Sequence, residues 1–149
     1  MGNTLKNVLG IIAGFFIGSA VNMGIVTLGY KIIPAPVGAD LTSNAGMKAA
    51  MEIMEPQNFI FPFLAHAGGT LVGAFLAAKI AGSLKKEMAL IIGVLFLMGG
   101  FTAIYMWGGP TWFKFLDLLA AYIPMAILGW ILAGGNGVKN SKVTDQLIS

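Results

Sequence analysis

The chain has 149 residues, of which 57% are hydrophobic and only 10% are charged. This composition indicates one domain and excludes a soluble globular protein, which carries about 25% charged residues. All nine basic residues are lysines, and a net charge of +3 is too sparse to follow a phosphate backbone, so nucleic acid is excluded as a partner. The absence of cysteine excludes disulfides, thiolate nucleophiles and iron–sulfur clusters.

The first apolar stretch predicts a membrane-spanning helix over residues 5–33. Gly10, Gly14 and Gly18 recur at intervals of four and form a glycine zipper, and Asn22 continues the same stripe. Small residues at this spacing let helices approach closely in lipid, and Asn22 either bonds a neighbouring helix or contacts a polar ligand. The stretch is too long for a signal peptide and lacks an Ala-x-Ala cleavage signal, so we expect a retained helix.

Pro34 and Pro36 end this helix, because proline removes a backbone donor. The loop that follows carries an apolar stripe, Met47, Met51 and Met54, with charged residues off the stripe. This pattern predicts a short amphipathic helix that lies along the membrane surface or over the mouth of the bundle. The methionines are also soft ligands for copper(I), although methionine serves more often as flexible apolar packing.

A second spanning helix is predicted over residues 58–82, and it contains His66, the only histidine of the chain. Gly69, Gly73 and Ala77 follow at intervals of four and predict a second close-packing face. This face packs either against the first glycine stripe or against a second subunit in a homo-oligomer. His66 lies on the same face, so it is either a structural hydrogen-bonding group or part of a site.

Two further spanning helices are predicted, over residues 88–107 and 111–133. The polar, glycine-rich residues 134–149 predict a disordered tail. The predicted fold class is therefore all-α: an integral membrane bundle of four transmembrane helices, with a short amphipathic surface helix in the first loop, in a single domain over residues 1–149.

The lysines predict which side of the membrane the termini occupy. Six fall on the side of the two termini, and three fall on the opposite side. Lysine is enriched in cytoplasmic loops, so the sequence predicts a multi-pass protein of the cell membrane with both termini in the cytoplasm.

Polar side chains from all four helices are predicted at a similar depth. At ~1.5 Å per residue, Asn22, His66, Thr102, Asp117 and Tyr122 lie about 8–16 Å below the outer surface. Thr70, one turn below His66, extends this layer of candidates. Their common level predicts a pocket in the outer leaflet, beneath the amphipathic segment. In this pocket Asp117 pairs with His66, or else Asp117 pairs with Lys114 one turn earlier at a wet interface.

The sequence contains no arrangement of residues typical of a catalytic site or a metal site. One histidine with scattered acids lacks the ligand spacing of a metal site, and a single histidine gives weak support for haem. The Gly-Gly pairs lack the Lys-Ser or Lys-Thr of a phosphate loop, and no serine or threonine has a nearby base in sequence. We therefore predict no cofactor, no metal and no enzymatic activity.

Four segments carry a resemblance: KIIPAPVGAD, MEIMEP, AHAGGTLVGAFLAAKIA and GPTWFKFLDLLAAYIPMAILGWILA. In their order and content they resemble a group of small uncharacterised bacterial four-helix integral membrane proteins. The resemblance covers nearly the whole chain. It implies the four-helix fold, its topology and a place in the bacterial inner membrane, and it implies no activity.

Two functions follow as hypotheses. In the first, the outer-leaflet pocket binds or transports a small apolar or cationic molecule, or a lipid, with His66 and Asp117 as polar contacts. In the second, the chain is an accessory or structural membrane protein whose glycine-rich helix faces pack against a partner or against a second copy. The sequence leaves the ligand, the choice between these functions and the oligomeric state open.

Overall fold

The computed structural model describes residues 1–135, and these form helices joined by turns and loops, without strands. The predicted tail lies outside the described residues except for Gly134 and Gly135. The helices are α1 (Asn3–Ile32), α2 (Asn44–Ile53), α3 (Ile60–Ile80), α4 (Lys85–Trp107), α5 (Thr111–Ala120) and α6 (Ile123–Leu132), with a short 3₁₀ turn (Pro56–Phe59) before α3.

Four segments of this chain are long and apolar enough to cross a membrane. They are α1, the 3₁₀ turn continued by α3, α4, and α5 together with α6, and their mean hydropathy over 18 residues lies between 1.7 and 2.2. Each has at least 22 residues, which at ~1.5 Å per residue exceeds the ~30 Å of a bilayer's hydrocarbon core. The prediction of an all-α chain with four helical segments long and apolar enough to span a membrane is confirmed, and it indicates a multi-pass membrane protein.

Helices α1 and α3 run antiparallel and touch through their backbones. A Cβ added to Gly18 would lie 2.6 Å from the carbonyl oxygen of Gly69, and one added to Gly69 would lie 2.8 Å from that of Gly18. The facing pairs are Gly10 with Ala77, Gly14 with Gly73, and Gly18 with Gly69. The two predicted small-residue stripes therefore meet each other within one chain.

Helix α3 is the central helix, because it packs against α1, α4 and α6. Its buried residues are mostly alanine, glycine and threonine, which leave little bulk between the helix axes. From α6, Gly129 faces α3 so closely that an added Cβ would lie 2.8 Å from the carbonyl oxygen of Leu71. A side chain on the inner face of α3 is consequently surrounded by other helices rather than exposed on the outside of the bundle.

Asn7 ties the start of α1 to the turn between α3 and α4. Its Oδ1 accepts hydrogen bonds from the backbone N–H groups of Gly82 (3.0 Å) and Ser83 (3.2 Å), and its Nδ2 donates to the Ser83 hydroxyl (3.1 Å). These bonds satisfy backbone donors that lack a partner in the turn. They also hold α1 and α3 in register at the end opposite to α2.

The fourth spanning segment differs from the prediction of one helix over residues 111–133. It divides into α5 and α6, with a break at Ala121 and Tyr122. Pro124 explains the break, because proline has no N–H to donate to the carbonyl of Ala120 and its ring clashes with that carbonyl. The break matters for the site, since Tyr122 lies in it.

Helix α2 occupies the loop in which an amphipathic helix is predicted. Ser43 caps it by accepting a hydrogen bond from the Gly46 N–H at 3.0 Å. Asn44 at its start accepts a hydrogen bond from the Trp107 indole N–H at 3.1 Å, which joins α2 to the end of α4. Helix α2 therefore lies over the end of the bundle at which α1 and α4 end and α5 begins.

Candidate functional site

Three polar side chains form one hydrogen-bonded cluster inside the bundle. His66 Nδ1 lies 2.8 Å from Asp117 Oδ1, and the Tyr122 hydroxyl donates to Asp117 Oδ2 at 2.7 Å. The same hydroxyl lies 3.0 Å from His66 Nδ1. The Asp117 side chain is 2% exposed and that of His66 is 24% exposed, so the carboxylate is enclosed while the imidazole reaches an open space.

Each member of the cluster is positioned by a different local feature. His66 lies on α3, and its carbonyl accepts a hydrogen bond from the fully buried Thr70 hydroxyl at 2.7 Å. Asp117 lies in the last turns of α5, and Tyr122 lies in the break before α6. Gly100 of α4 faces Tyr122, and a Cβ at this glycine would overlap the tyrosine hydroxyl. The site therefore depends on three spanning segments.

The cluster determines which imidazole nitrogen carries a hydrogen. The Tyr122 hydroxyl donates to Asp117 Oδ2. The other carboxylate oxygen, Oδ1, can only accept, so His66 Nδ1 carries the hydrogen of the bond between them. No buried side-chain nitrogen or oxygen in residues 1–135 lacks a hydrogen-bond partner. Nε2 has no partner in this part of the chain, so it is accessible from the open space that His66 lines.

That open space is a cavity of about 370 Å³ beneath α2, which we call the α2 cavity. His66 and Asp117 lie at its wall, and α2 contributes Met47 and Met51. The remaining lining is mostly apolar and aromatic and includes Tyr30, Met54, Phe59, Trp107 and Phe113. An apolar cavity of this size with a few polar groups at one place is typical of a small-molecule site.

A second space of about 290 Å³, which we call the side cavity, adjoins the first. The two share Asn22, Met23, His66 and Gly100. The side cavity runs between α1 and α4, and it is bounded by Phe15, Ser19, Leu95, Phe96, Gly99 and Tyr122. Phe15 and Leu95 are 38% and 37% exposed on the outside of the bundle, so the side cavity opens laterally.

The structure brings together most of the residues that the sequence analysis proposes for a site. His66, Asp117 and Tyr122 are in contact, and Asn22 lines both cavities. Thr70 lies behind His66 and bonds its backbone rather than the cavity. Asp117 pairs with His66, and no bond or ion pair joins it to Lys114 among residues 1–135.

The placement of Thr102 in the pocket is wrong. Thr102 is exposed on the outside of α4, and its hydroxyl donates to the carbonyl of Met98 at 2.9 Å. Its depth matches the cluster, but it lies two residues from Gly100, which is about 200° around the helix axis. Since Gly100 faces the cluster, Thr102 faces away from it.

Two kinds of residue at the candidate site are not predicted from the sequence to belong to it. One is Gly100, whose missing side chain makes room for Tyr122; the Gly99-Gly100 pair in an apolar helix was the available signal. The other is the aromatic lining, such as Trp107 and Phe113, which comes from both sides of the turn between α4 and α5. Aromatic residues near a helix end also serve as interface anchors, so their position in sequence does not distinguish the two roles.

The chemistry of the cluster is that of a hydrogen-bonding and proton-accepting group. Asp117 orients the imidazole and leaves Nε2 for an outside partner. Within residues 1–135 no three histidine, aspartate or glutamate side chains converge as a metal site requires. Ser19 shares the side cavity with His66, but no hydrogen bond joins them. Comparison of the chain with protein-family models, with curated proteins and with solved structures gives no match.

Proposed function

We propose that the protein binds a small, mainly apolar molecule with one polar group in the α2 cavity. The observation that carries this proposal is the buried His66–Asp117–Tyr122 cluster, which leaves His66 Nε2 open to an apolar space of about 370 Å³. Ionisable residues inside a membrane protein are expensive to bury and usually serve a binding or transport path. Asp117 has its partners within the cluster, so Nε2 is the group left for a ligand.

Binding is favoured over transport by the contrast between the two ends of the bundle. Beneath α2 the helices enclose open space, whereas toward the termini α1 and α3 meet backbone to backbone at Gly10 and Gly14. Ala74, Ala77 and Ala78 are fully buried in the same part of the bundle. A transported molecule would need to separate these contacts, so a site without a path through the whole bundle suits this packing better.

The proposed setting is the bacterial inner membrane, with both termini in the cytoplasm and the α2 cavity in the outer half. In this setting α2 lies along the outer membrane surface and covers the cavity. The exposure of its side chains supports this placement: Lys48 and Glu52 are exposed, while Met47 and Met51 line the cavity.

The test is a mass-spectrometric survey of small molecules that copurify with the protein, for the native chain, His66→Ala and Thr102→Ala. Thr102 has a similar depth and a hydroxyl group but lies outside the cavities, so Thr102→Ala is the matched control. We expect a molecule that accompanies the native chain and the control and is lost from His66→Ala. Equal recovery from all three proteins would reject the proposal.

Because His66→Ala also removes a partner of the buried Asp117, a second variant separates binding from folding. Asn22 lines both cavities, and its amide forms no hydrogen bond within residues 1–135. Asn22→Leu has a similar volume and should keep the native resistance to unfolding in detergent while it lowers recovery of the ligand. Full recovery of the ligand with Asn22→Leu would contradict a polar contact between the Asn22 amide and the ligand.

The alternative function is that of an accessory protein that packs against a partner or a second copy. The glycine stripes of α1 and α3 face each other in this chain, so a partner would have to use other faces. If the His66 and Asn22 variants change only stability, and no molecule copurifies, this alternative replaces ligand binding.

A further inference from the structure

We infer that the ligand is a lipid-soluble alcohol or phenol whose hydroxyl donates to His66 Nε2 and whose apolar tail passes through the side cavity between α1 and α4. The inference rests on the proposed function and narrows its ligand to a chemical class. Four observations carry it: the tautomer of His66, the enclosure of Asp117, the lateral opening, and the free space at Gly99.

The tautomer of His66 selects a hydrogen-bond donor. Nδ1–H is engaged with Asp117, so the neutral imidazole presents a lone pair at Nε2. A hydroxyl group satisfies this acceptor, whereas an ether or ketone oxygen has no hydrogen to offer. The class of ligand that completes the cluster is therefore one that donates.

The enclosure of Asp117 disfavours a cation. Both carboxylate oxygens accept hydrogen bonds within the cluster, and the side chain is 2% exposed, so a positive ligand would find no free carboxylate. Asp117 and Tyr122 are the titratable groups in contact with the imidazole, and Tyr30 of α1 lines the same α2 cavity. The lining residues from α2 and α4 carry no titratable side chain.

The side cavity offers a path from the acyl chains to His66. It reaches the imidazole between α1 and α4 and opens beside Phe15 and Leu95. A molecule dissolved in the bilayer can therefore place its head at Nε2 without passing under α2. Asn22, which lines both cavities, lies beside this path and can pair with the oxygen of the hydroxyl.

Gly99 makes the path testable without disturbing the packing. It lines the side cavity, and a Cβ added there would meet no atom within 4 Å. Gly24 of α1 is also exposed in a helix and equally free of neighbours, but it lines neither cavity. Gly99→Phe should therefore obstruct the path, and Gly24→Phe is its matched control.

The experiment uses nitrogen NMR of the protein labelled with ¹⁵N-histidine in lipid nanodiscs. His66 is the only histidine, so a protein purified without a histidine tag gives one pair of ring signals. We expect a hydrogen on Nδ1 and none on Nε2, which is the tautomer that the bond to Asp117 selects. The probes are dodecan-1-ol, dodecyl methyl ether and dodecylammonium, which share one chain length.

Dodecan-1-ol should shift the Nε2 signal and bind about tenfold more tightly than the ether, which corresponds to one hydrogen bond. Gly99→Phe should weaken the response to the alcohol, while Gly24→Phe should leave it unchanged.

Three results would overturn the inference. Equal binding of ether and alcohol would remove the donor requirement, and preferred binding of dodecylammonium would replace the class with cations. An unchanged response in Gly99→Phe would remove the lateral path. Each of these leaves a His66-dependent copurifying molecule in place, whereas loss of that molecule together with silence of all three probes would reject the proposed function itself.

Discussion

A single missing side chain decides the geometry around Tyr122. At Gly100 an added Cβ would overlap the tyrosine hydroxyl, while at the neighbouring Gly99 it would meet nothing. Tyr122 is 1% exposed and its hydroxyl donates to Asp117, so a displacement of its ring would disturb this hydrogen bond. The two glycines therefore have different roles despite their adjacency.

This difference predicts opposite effects of two alanine substitutions. Gly100→Ala should lower the free energy of unfolding by about 1–3 kcal/mol, because the methyl group displaces Tyr122 in a packed interior. Gly99→Ala should raise it by about 0.5–1 kcal/mol, since alanine is the better helix former. Reversible unfolding in mixed micelles, followed by circular dichroism, measures both. Equal effects would show that Gly100 does not position Tyr122.

At the scale of an element, the pairing of α1 with α3 depends on backbone contact. Gly14 faces Gly73 so closely that an added Cβ at Gly14 would overlap the Gly73 carbonyl oxygen. A backbone carbonyl in the middle of a helix cannot turn aside as a flexible side chain can. The two helices must therefore separate if a side chain is added here.

Gly14→Ala should accordingly lower the free energy of unfolding by about 1–3 kcal/mol. Gly24→Ala on the same helix is the control, since its Cβ would meet nothing, and it should be neutral or stabilising. The same unfolding assay applies. A Gly14→Ala protein as stable as the control would contradict the close approach of α1 and α3.

The loop before α2 contains a carboxylate that accepts hydrogen bonds from its neighbours in sequence. Asp40 accepts hydrogen bonds from the Ser43 hydroxyl, and from the hydroxyl and the N–H of Thr42 at 2.6 and 2.8 Å. These bonds, that from Ser43 first, lower the pKa of Asp40 from 3.8 to about 2. Because the folded pKa is lowered, the contribution to local stability is complete above pH 3.8 and is lost as pH falls through about 2.

We therefore expect the loop before α2 to keep its structure at pH 4 and to loosen as pH approaches 2. The carboxyl ¹³C shift of Asp40 should titrate with a midpoint near 2, and amide exchange at Gly46, whose N–H bonds the Ser43 hydroxyl, should accelerate over the same range. Asp40→Asn removes the titrating group and should show no such step. A midpoint at 3.8 would mean that these bonds do not form.

For the whole molecule, the two ends of the bundle are built differently. Small residues bring α1, α3 and α6 together toward the termini, whereas larger side chains and the cover of α2 leave cavities at the other end. The tight packing near the termini holds the helices together. Helices α1 and α4 can therefore stay apart beside His66, where the side cavity lies. The proposed orientation places this open end outside the cytoplasm.

Orientation can be measured because the native chain has no cysteine. Val37, fully exposed in the loop before α2, and Lys85, exposed at the start of α4, lie at opposite ends of the bundle. A membrane-impermeant maleimide should label Val37→Cys in intact spheroplasts and Lys85→Cys only after permeabilisation. The reverse pattern would place the termini outside.

Composition and spacing were sufficient to predict four segments apolar enough to cross a membrane and the small residues that share one face of α1 and one face of α3. These features depend only on a short length of chain. The hydropathy of a segment determines whether it can cross a membrane, and a spacing of four determines which residues share one face of a helix. The common depth of His66, Asp117 and Tyr122 also followed from counting residues along each helix.

The depth of a side chain along its helix follows from counting residues. The direction in which it points around the helix axis depends on how that helix is rotated against its neighbours. That rotation placed Thr102 outside the bundle and paired Asp117 with His66 instead of Lys114. The space that Gly100 leaves for Tyr122 likewise depends on α4 meeting the segment between α5 and α6 across the bundle. Contacts between distant segments are set by packing in three dimensions, and the order of residues along one helix does not contain them.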